Sequence, residues 1–242
     1  MKEADLIVTD PPYNVNYEGG NGKKIENDNQ SEENFIEFLT AAFEKMREHL
    51  KNGGAFYIWY ASMKQYSFEQ AARNAGLTAR QNIIWNKNTM TLGRSDYQWK
   101  HEPCMYGWKE GAAHYFTDSR VETTVIDDKP NINKMDKAEL KNYIKELLKR
   151  EPASTVIEED KPLSNAEHPT MKPLKIIGYL IKNSSQRGET VLDPFGGSGS
   201  TLIACEQLKR KCRMMELDER YCSVIINRWE RLTGKKAELI EG

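Results

Sequence analysis

Strands and helices alternate along most of this chain, and that order predicts an α/β fold: a doubly wound, mostly parallel sheet with helices on both faces. Two further observations agree. Ala4-Asp5-Leu6-Ile7-Val8-Thr9 is a short, apolar, β-rich run, the pattern of a strand buried on both faces. Two strands also end in Asp-Pro turns, Asp10-Pro11-Pro12-Tyr13 and Asp193-Pro194-Phe195-Gly196, at the carboxyl edge where open α/β sheets gather their chemistry.

The elements follow in order. The first strand stops at a proline pair that cannot continue a sheet. Glu18 to Glu33 is polar and rich in Gly and Asn, a loop. Ser31 is placed as an N-cap, with Glu32 and Glu33 at the positive end of the helix that follows. Phe35, Leu39, Ala42, Phe43, Met46 and Leu50 recur at helical spacing, and Asn52-Gly53-Gly54 is expected to stop that helix. Ala55–Trp59 reads as a strand, Gln65–Ala75 as a helix ended by Gly76, and Ala79–Trp85 as a strand. Asn86 to Trp108 mixes aromatic, basic and turn residues. Met135 to Arg150 has helical spacing through Leu140, Ile144, Leu147 and Leu148. Residues 117–167 are therefore expected to be an insertion on the sheet, within a single domain spanning 1–242. Regular order returns with a helix at Leu174–Ile181 whose first turn suits Pro173. A strand at Glu189–Asp193, a helix at Thr201–Leu208, a strand at Cys212–Glu216 and a helix at Tyr221–Leu232 close the sequence. The chain opens on what should be a central strand, and the expectations are that an upstream segment lies outside this sequence, has been lost or never existed.

Composition narrows the function. Of 242 residues, 38% are hydrophobic and 29% charged, enough for a buried core and against wholesale disorder. No run approaches the ~18 apolar residues of a membrane span, and Met1–Asp5 lacks a secretory pattern. Four Cys without a C-x-x-C pair point to reduced thiols in an intracellular, cytoplasmic setting. A net charge of −1 excludes a generally basic coat, so a nucleic-acid partner requires Lys and Arg gathered on one face.

The glycine turn Asp193-Pro194-Phe195-Gly196-Gly197-Ser198-Gly199 lies between a strand and a helix. Glycines there let backbone N–H groups approach a ligand. The turn lacks the Lys of a phosphate-binding loop and does not match the dinucleotide pattern G-x-G-x-x-G. Asp193 would also repel a phosphate. A cofactor with a ribose and a positive centre fits better, and Glu216, ending the next strand, suits ribose hydroxyls. The blander readings are a tight turn and an exposed strand-end carboxylate. Asp10-Pro11-Pro12-Tyr13 sets a carboxylate, a free carbonyl and an aromatic ring in a turn stiffened by two prolines. That is an acceptor pair beside a stacking plate, suited to an exocyclic amino group. An ordinary Asp-Pro turn with a core Tyr is its alternative.

At these residues the sequence resembles the β group of amino-group DNA methyltransferases. Asp10-Pro11-Pro12-Tyr13 is similar to their catalytic motif, and Asp193 to Gly199 to their S-adenosylmethionine (SAM) motif. His168-Pro169-Thr170-Met171-Lys172-Pro173 resembles the cofactor-side motif that precedes it. The resemblance covers Ala4 to Leu232 and is weakest over 117–167. It implies a Rossmann-like, mostly parallel seven-stranded sheet with permuted motif order. It implies that Phe195, Gly196, Gly197 and Ser198, flanked by Asp193, Pro194 and Gly199, surround SAM, with Asp10 at the border of that site. By the same resemblance Glu216 takes the ribose, and Thr170 and Lys172 hold the cofactor's carboxylate end. Lys172 as a solvated charge before a helix, and His168 as a turn cap, are the other readings. Ser200, where many relatives carry Thr, is one departure, and the missing sequence before Ala4 is another.

The activity so implied is methylation of a base flipped out of double-stranded DNA. Tyr13 stacks on it while Asp10 and the Pro11 carbonyl, held by Pro12, accept its amino hydrogens. The methyl group passes directly to nitrogen, so no Cys nucleophile is expected. Asp at the first motif position favours N6 of adenine, with N4 of cytosine as the alternative. A homodimer, a cognate restriction endonuclease and a bacterial or phage origin belong to the same implication. Candidate DNA contacts are Lys23 and Lys24, in a loop that is either a lid or plain surface. A further cluster, Arg94, Tyr97, Trp99, Lys100 and His101, either meets DNA or packs. The helix at Met135–Arg150 is read as solvated rather than as a DNA reader. His101, Cys104 and His114 do not form a zinc set, so no metal is expected. RNA or protein amide methyltransferases usually place the SAM motif first. A nucleotide hydrolase lacks its Lys here, and a non-catalytic DNA-binding subunit has no need of both intact motifs.

Overall fold

A computed structural model describes residues 3–15, 29–91, 95–119, 122–127, 135–141 and 172–240. Seven strands form one sheet: β1 (Ala4–Thr9), β2 (Leu50–Trp59), β3 (Ala79–Thr91), β4 (Trp99–Trp108), β5 (Val125–Asp127), β6 (Thr190–Asp193) and β7 (Lys211–Met214). Their order is β5-β3-β4-β2-β1-β6-β7. Only β4, which pairs antiparallel with β2 and β3, runs against the other described strands. The expected mostly parallel α/β sheet is present.

Strand periodicity sends side chains to two cores. Ile7, Phe56 and Ile58 face one side, where α1 (Glu32–His49) and α2 (Gln65–Asn74) supply Phe35, Leu39, Phe43 and Phe68. Leu6, Val8, Tyr57 and Trp59 face the other, against Ile177 and Leu180 of α3 (Leu174–Ser184) and Ala204 of α4 (Ser200–Leu208). A fifth helix, α5 (Glu219–Thr233), lies beyond α4. With both faces of β1 covered, its apolar run Leu6–Val8 is explained. Among the described residues, no helix is long and apolar enough to cross a membrane.

Several boundaries differ from expectation. Asn52-Gly53-Gly54 does not end α1, which stops at His49; β2 already begins at Leu50 and runs through the glycines. Gly53 has φ +76°, and a Cβ there would lie 2.3 Å from the Ala113 carbonyl oxygen, so glycine serves close backbone approach rather than helix termination. Within Asn86 to Trp108 two stretches are strand: β3 extends to Thr91 and β4 returns from Trp99. The range 117–167 contributes β5 to the edge of the sheet, paired parallel with β3. Within Met135–Arg150, residues 137–141 are helical and the remainder lies outside the described residues. Ser31 caps α1 as expected, its hydroxyl accepting from the Asn34 amide at 3.2 Å.

Candidate active site

Strand β1 lies between β2 and β6 and is parallel to both, so the turns after β1 and β6 leave the same edge of the sheet side by side. A buried bond ties them: Thr9 Oγ1, at the end of β1, donates to Asp193 Oδ1, at the end of β6, at 2.8 Å. Residues far apart in the chain thus meet at one edge of the sheet.

On the β1 side, Asp10 is already engaged. The Tyr13 hydroxyl donates to its Oδ1, and the Lys172 ammonium reaches its Oδ2 at 2.6 Å. Lys172 also donates to the Tyr13 hydroxyl at 3.0 Å and lies over the Tyr13 and Trp59 rings, 5.4 and 5.3 Å from their centroids. The Tyr13 ring meets Phe68 edge-on at 6.2 Å between centroids. Asn14 locks the turn: at φ +57° it accepts from the Gln30 amide and donates to the Gln30 carbonyl. Burial, and then the charges of Asp10 and Glu102, push the Tyr13 hydroxyl well above its usual range, so it stays protonated.

Lys172 is 6% exposed, and its ammonium is shared among acceptors inside the protein. Burial alone would lower its pKa; Asp10 and Glu102 reverse that and hold it above the ordinary lysine value. Glu102, on β4, is 3.0 Å from Lys172 and pairs at its other oxygen with Lys87 of β3. Burial would raise Glu102, yet Lys172 and Lys87 outweigh it and keep the carboxyl ionised.

On the β6 side, Gly197 (φ +53°) and Gly199 (φ +79°) shape the turn into α4. Glu216, beyond β7, accepts from the Gly197 amide at 2.7 Å and from the Leu217 and Asp218 amides at 2.9 Å. Backbone thus fixes the carboxylate and leaves one lone pair, on Oε2, open to a hydroxyl. Phe195 meets Phe38 of α1 edge-on at 6.2 Å. Asp193 is fully buried, and burial raises its pKa from 3.8 to about 7 despite bonds from Thr201, Thr9 and the Phe195 amide. An anchored carboxylate, a glycine turn and an aromatic ring, with the Asp10 carboxylate nearby, fit a nucleoside that carries a sulfonium: an acceptor for its hydroxyls and negative charge for its positive centre.

A model of the N6/N4 DNA methylase family matches residues 4–228. The chain belongs to that family. It is similar to the Type II methyltransferase M.HpaI of Haemophilus parainfluenzae, at 27% identity over 90% of this chain and 65% of that protein. It thus spans about two thirds of that relative's length. It is 23% identical to the DNA adenine methyltransferase YhdJ of Escherichia coli, over 98% of this chain and 80% of that one. Among solved structures it resembles the PvuII DNA methyltransferase, described as cytosine-N4-specific. The TM-score is 0.65 at 15% identity, covering 94% of this chain and 80% of the other.

The structure brings together Asp10, Pro11, Pro12, Tyr13 and Lys172 on one side, and Asp193 to Gly199 with Glu216 on the other. Lys172, read from sequence as a cofactor contact or a solvated charge, is neither free nor exposed: it sits against Asp10. Tyr97 is 91% exposed and Lys100 is exposed. Both lie near the start of β4, beyond the carboxyl edge of β2, because β4 begins opposite the end of β3 while the end of β2 pairs only with Cys104. His101 is turned inward, its Nε2 3.2 Å from Ser62 Oγ. Lys23, Lys24, Arg94, His168 and Thr170 lie outside the described residues. Sequence reasoning missed Glu102 and Lys87. Glu102 lies on β4 and Lys87 on the part of β3 beyond Trp85, stretches that the residue pattern did not mark as strand.

Proposed function

We propose that the protein methylates the N6 amino group of adenine in double-stranded DNA, with SAM as methyl donor. Its family membership supports DNA methylation with this donor. One observation carries the reading further: an acceptor turn and a glycine turn, joined by the Thr9–Asp193 bond, open at the same sheet edge. When bound, SAM supplies an electrophilic methyl group whose departing sulfur keeps the bonding electrons.

The chain's own residues then orient the reaction. Glu216 takes the ribose hydroxyls, and Phe195 with the glycine turn holds the rest of the nucleoside. Tyr13 offers a flat face to the extruded base. The Asp10 carboxylate and the Pro11 carbonyl accept the amino hydrogens, which fixes the nitrogen lone pair toward the donor and stabilises charge growing on nitrogen. Pro11 and Pro12 keep this cup rigid, with no N–H of their own to compete. Tyr97 and Lys100, exposed on the same edge, serve as DNA contacts.

Asp10 is the reason for choosing adenine, following the motif correlation given above. The same acceptors suit N4 of cytosine, the specificity in the PvuII enzyme's description. The test is transfer of a labelled methyl group to unmethylated bacterial DNA, followed by digestion to nucleosides. N6-methyladenine is expected. Label in N4-methylcytosine overturns the base assignment, and no label in DNA overturns the whole proposal.

A further inference from the structure

A row of alternating charges runs beneath the Asp10 turn: Asp10, Lys172, Glu102 and Lys87. The hydrogen bonds of the Lys172 ammonium are directed at Asp10 and the Tyr13 hydroxyl. Glu102 Oε2 lies 3.0 Å from that ammonium, yet it is buried and makes no aligned hydrogen bond. The same Asp10 carboxylate is the group that must accept an amino hydrogen if the proposed function holds. Lys172 therefore competes at Oδ2 for the acceptor that the substrate needs.

We propose that Glu102 is a positioning residue: it takes the Lys172 ammonium when the target amino group takes Asp10. This rests on the amino-methyltransferase reading above. A buried ammonium stripped of its partner carries a heavy desolvation penalty, so Lys172 cannot leave Asp10 without another anion. Among the described residues Glu102 is the other carboxylate paired with it. The move is short, and the Trp59 and Tyr13 rings beneath the ammonium keep it in contact with aromatic faces throughout. Lys87, bonded to the opposite oxygen of Glu102, keeps that carboxylate ionised and aimed. The Tyr13 hydroxyl loses its contact with Lys172 in the same shift and keeps its bond to Asp10 Oδ1.

The test compares wild type, Glu102→Gln, Glu102→Asp and Lys87→Met in single-turnover transfer to unmethylated bacterial DNA at saturating SAM. Calorimetric binding of S-adenosylhomocysteine and thermal unfolding are measured in parallel. Glu102→Gln is expected to slow transfer roughly ten- to hundredfold, the scale of a lost charge-assisted hydrogen bond. Its affinity for S-adenosylhomocysteine should stay within about twofold. Glu102→Asp, which keeps the charge, should recover part of the rate, and Lys87→Met should slow transfer by less. A wild-type rate in Glu102→Gln, or a loss of S-adenosylhomocysteine affinity equal to the loss of rate, overturns the inference. Should Glu102→Gln fail to fold, Lys87→Met decides: slowed transfer supports the inference and a wild-type rate overturns it. A wild-type protein that labels no DNA overturns the proposed function and this inference with it. Active wild type with indifferent variants overturns the inference alone.

Discussion

Asp193 offers a quantitative check on the site's architecture, through replacement by Asn. Its carboxyl is buried, and its pKa rises from 3.8 to about 7 on folding. The folded state therefore holds the proton more tightly than the unfolded chain does. Stability from this source is complete below about pH 4 and declines as pH rises to about 7, where the folded carboxyl ionises. The span of about three pKa units corresponds to ~4 kcal/mol of stability given up at alkaline pH, an order-of-magnitude ceiling. Asn is nearly isosteric, and its carbonyl can still accept from Thr9 Oγ1 and the Phe195 amide, which bond Asp193 Oδ1 at 2.8 and 3.2 Å. The variant carries no ionisation cost. Urea unfolding of both proteins from pH 4 to 9 should give curves that diverge as pH rises, with Asp193→Asn gaining relative to wild type. Parallel stability–pH curves, or a variant less stable at pH 9 than at pH 5 by the wild-type amount, would refute the claim that burial suppresses this charge.

Other consequences follow from the same geometry. Asp10→Ala removes the acceptor and should reduce methyl transfer by about 10²-fold or more while S-adenosylhomocysteine still binds in calorimetry; unchanged transfer would remove Asp10 from the chemistry. Glu216→Gln sets an NH2 group against a backbone N–H, of Gly197 or of Leu217 and Asp218, and weakens the acceptor, so affinity for S-adenosylhomocysteine should fall about tenfold or more. Gly53→Ala must place a Cβ 2.3 Å from the Ala113 carbonyl oxygen at a positive φ; a loss of about 2–4 kcal/mol in chemical denaturation is expected, from strain and overpacking together. Ligand affinity in the folded fraction should be unaffected.

Much of this architecture could be read from residues because local and tertiary preferences agreed. Ser31 capped the helix that Phe35, Leu39 and Phe43 predicted, and the buried run at Ala4–Thr9 became a strand covered on both faces. Strand β4 was hidden for a physical reason. Pro103 has no amide donor, which argues against an interior strand, yet its carbonyl accepts from Tyr60 where β2 has already ended, so the missing donor falls at the end of that ladder. Gly53 misled because a glycine for close approach looks the same in sequence as a glycine that ends a helix. In the site, the two turns were legible since each motif is contiguous. The Lys172–Glu102 pair was not, because its partners belong to segments whose register only the sheet defines.

The bond between Thr9 and Asp193 joins residues 184 positions apart. During synthesis the first strand leaves the ribosome long before its neighbour β6 exists, and one whole flank of it waits unpaired. Such distant pairing is slow to form and exposes a sticky ribbon in the meantime. A nascent or truncated chain that ends before Thr190 would hold the acceptor turn without the wall that completes it, so the reactive cleft cannot assemble piecemeal.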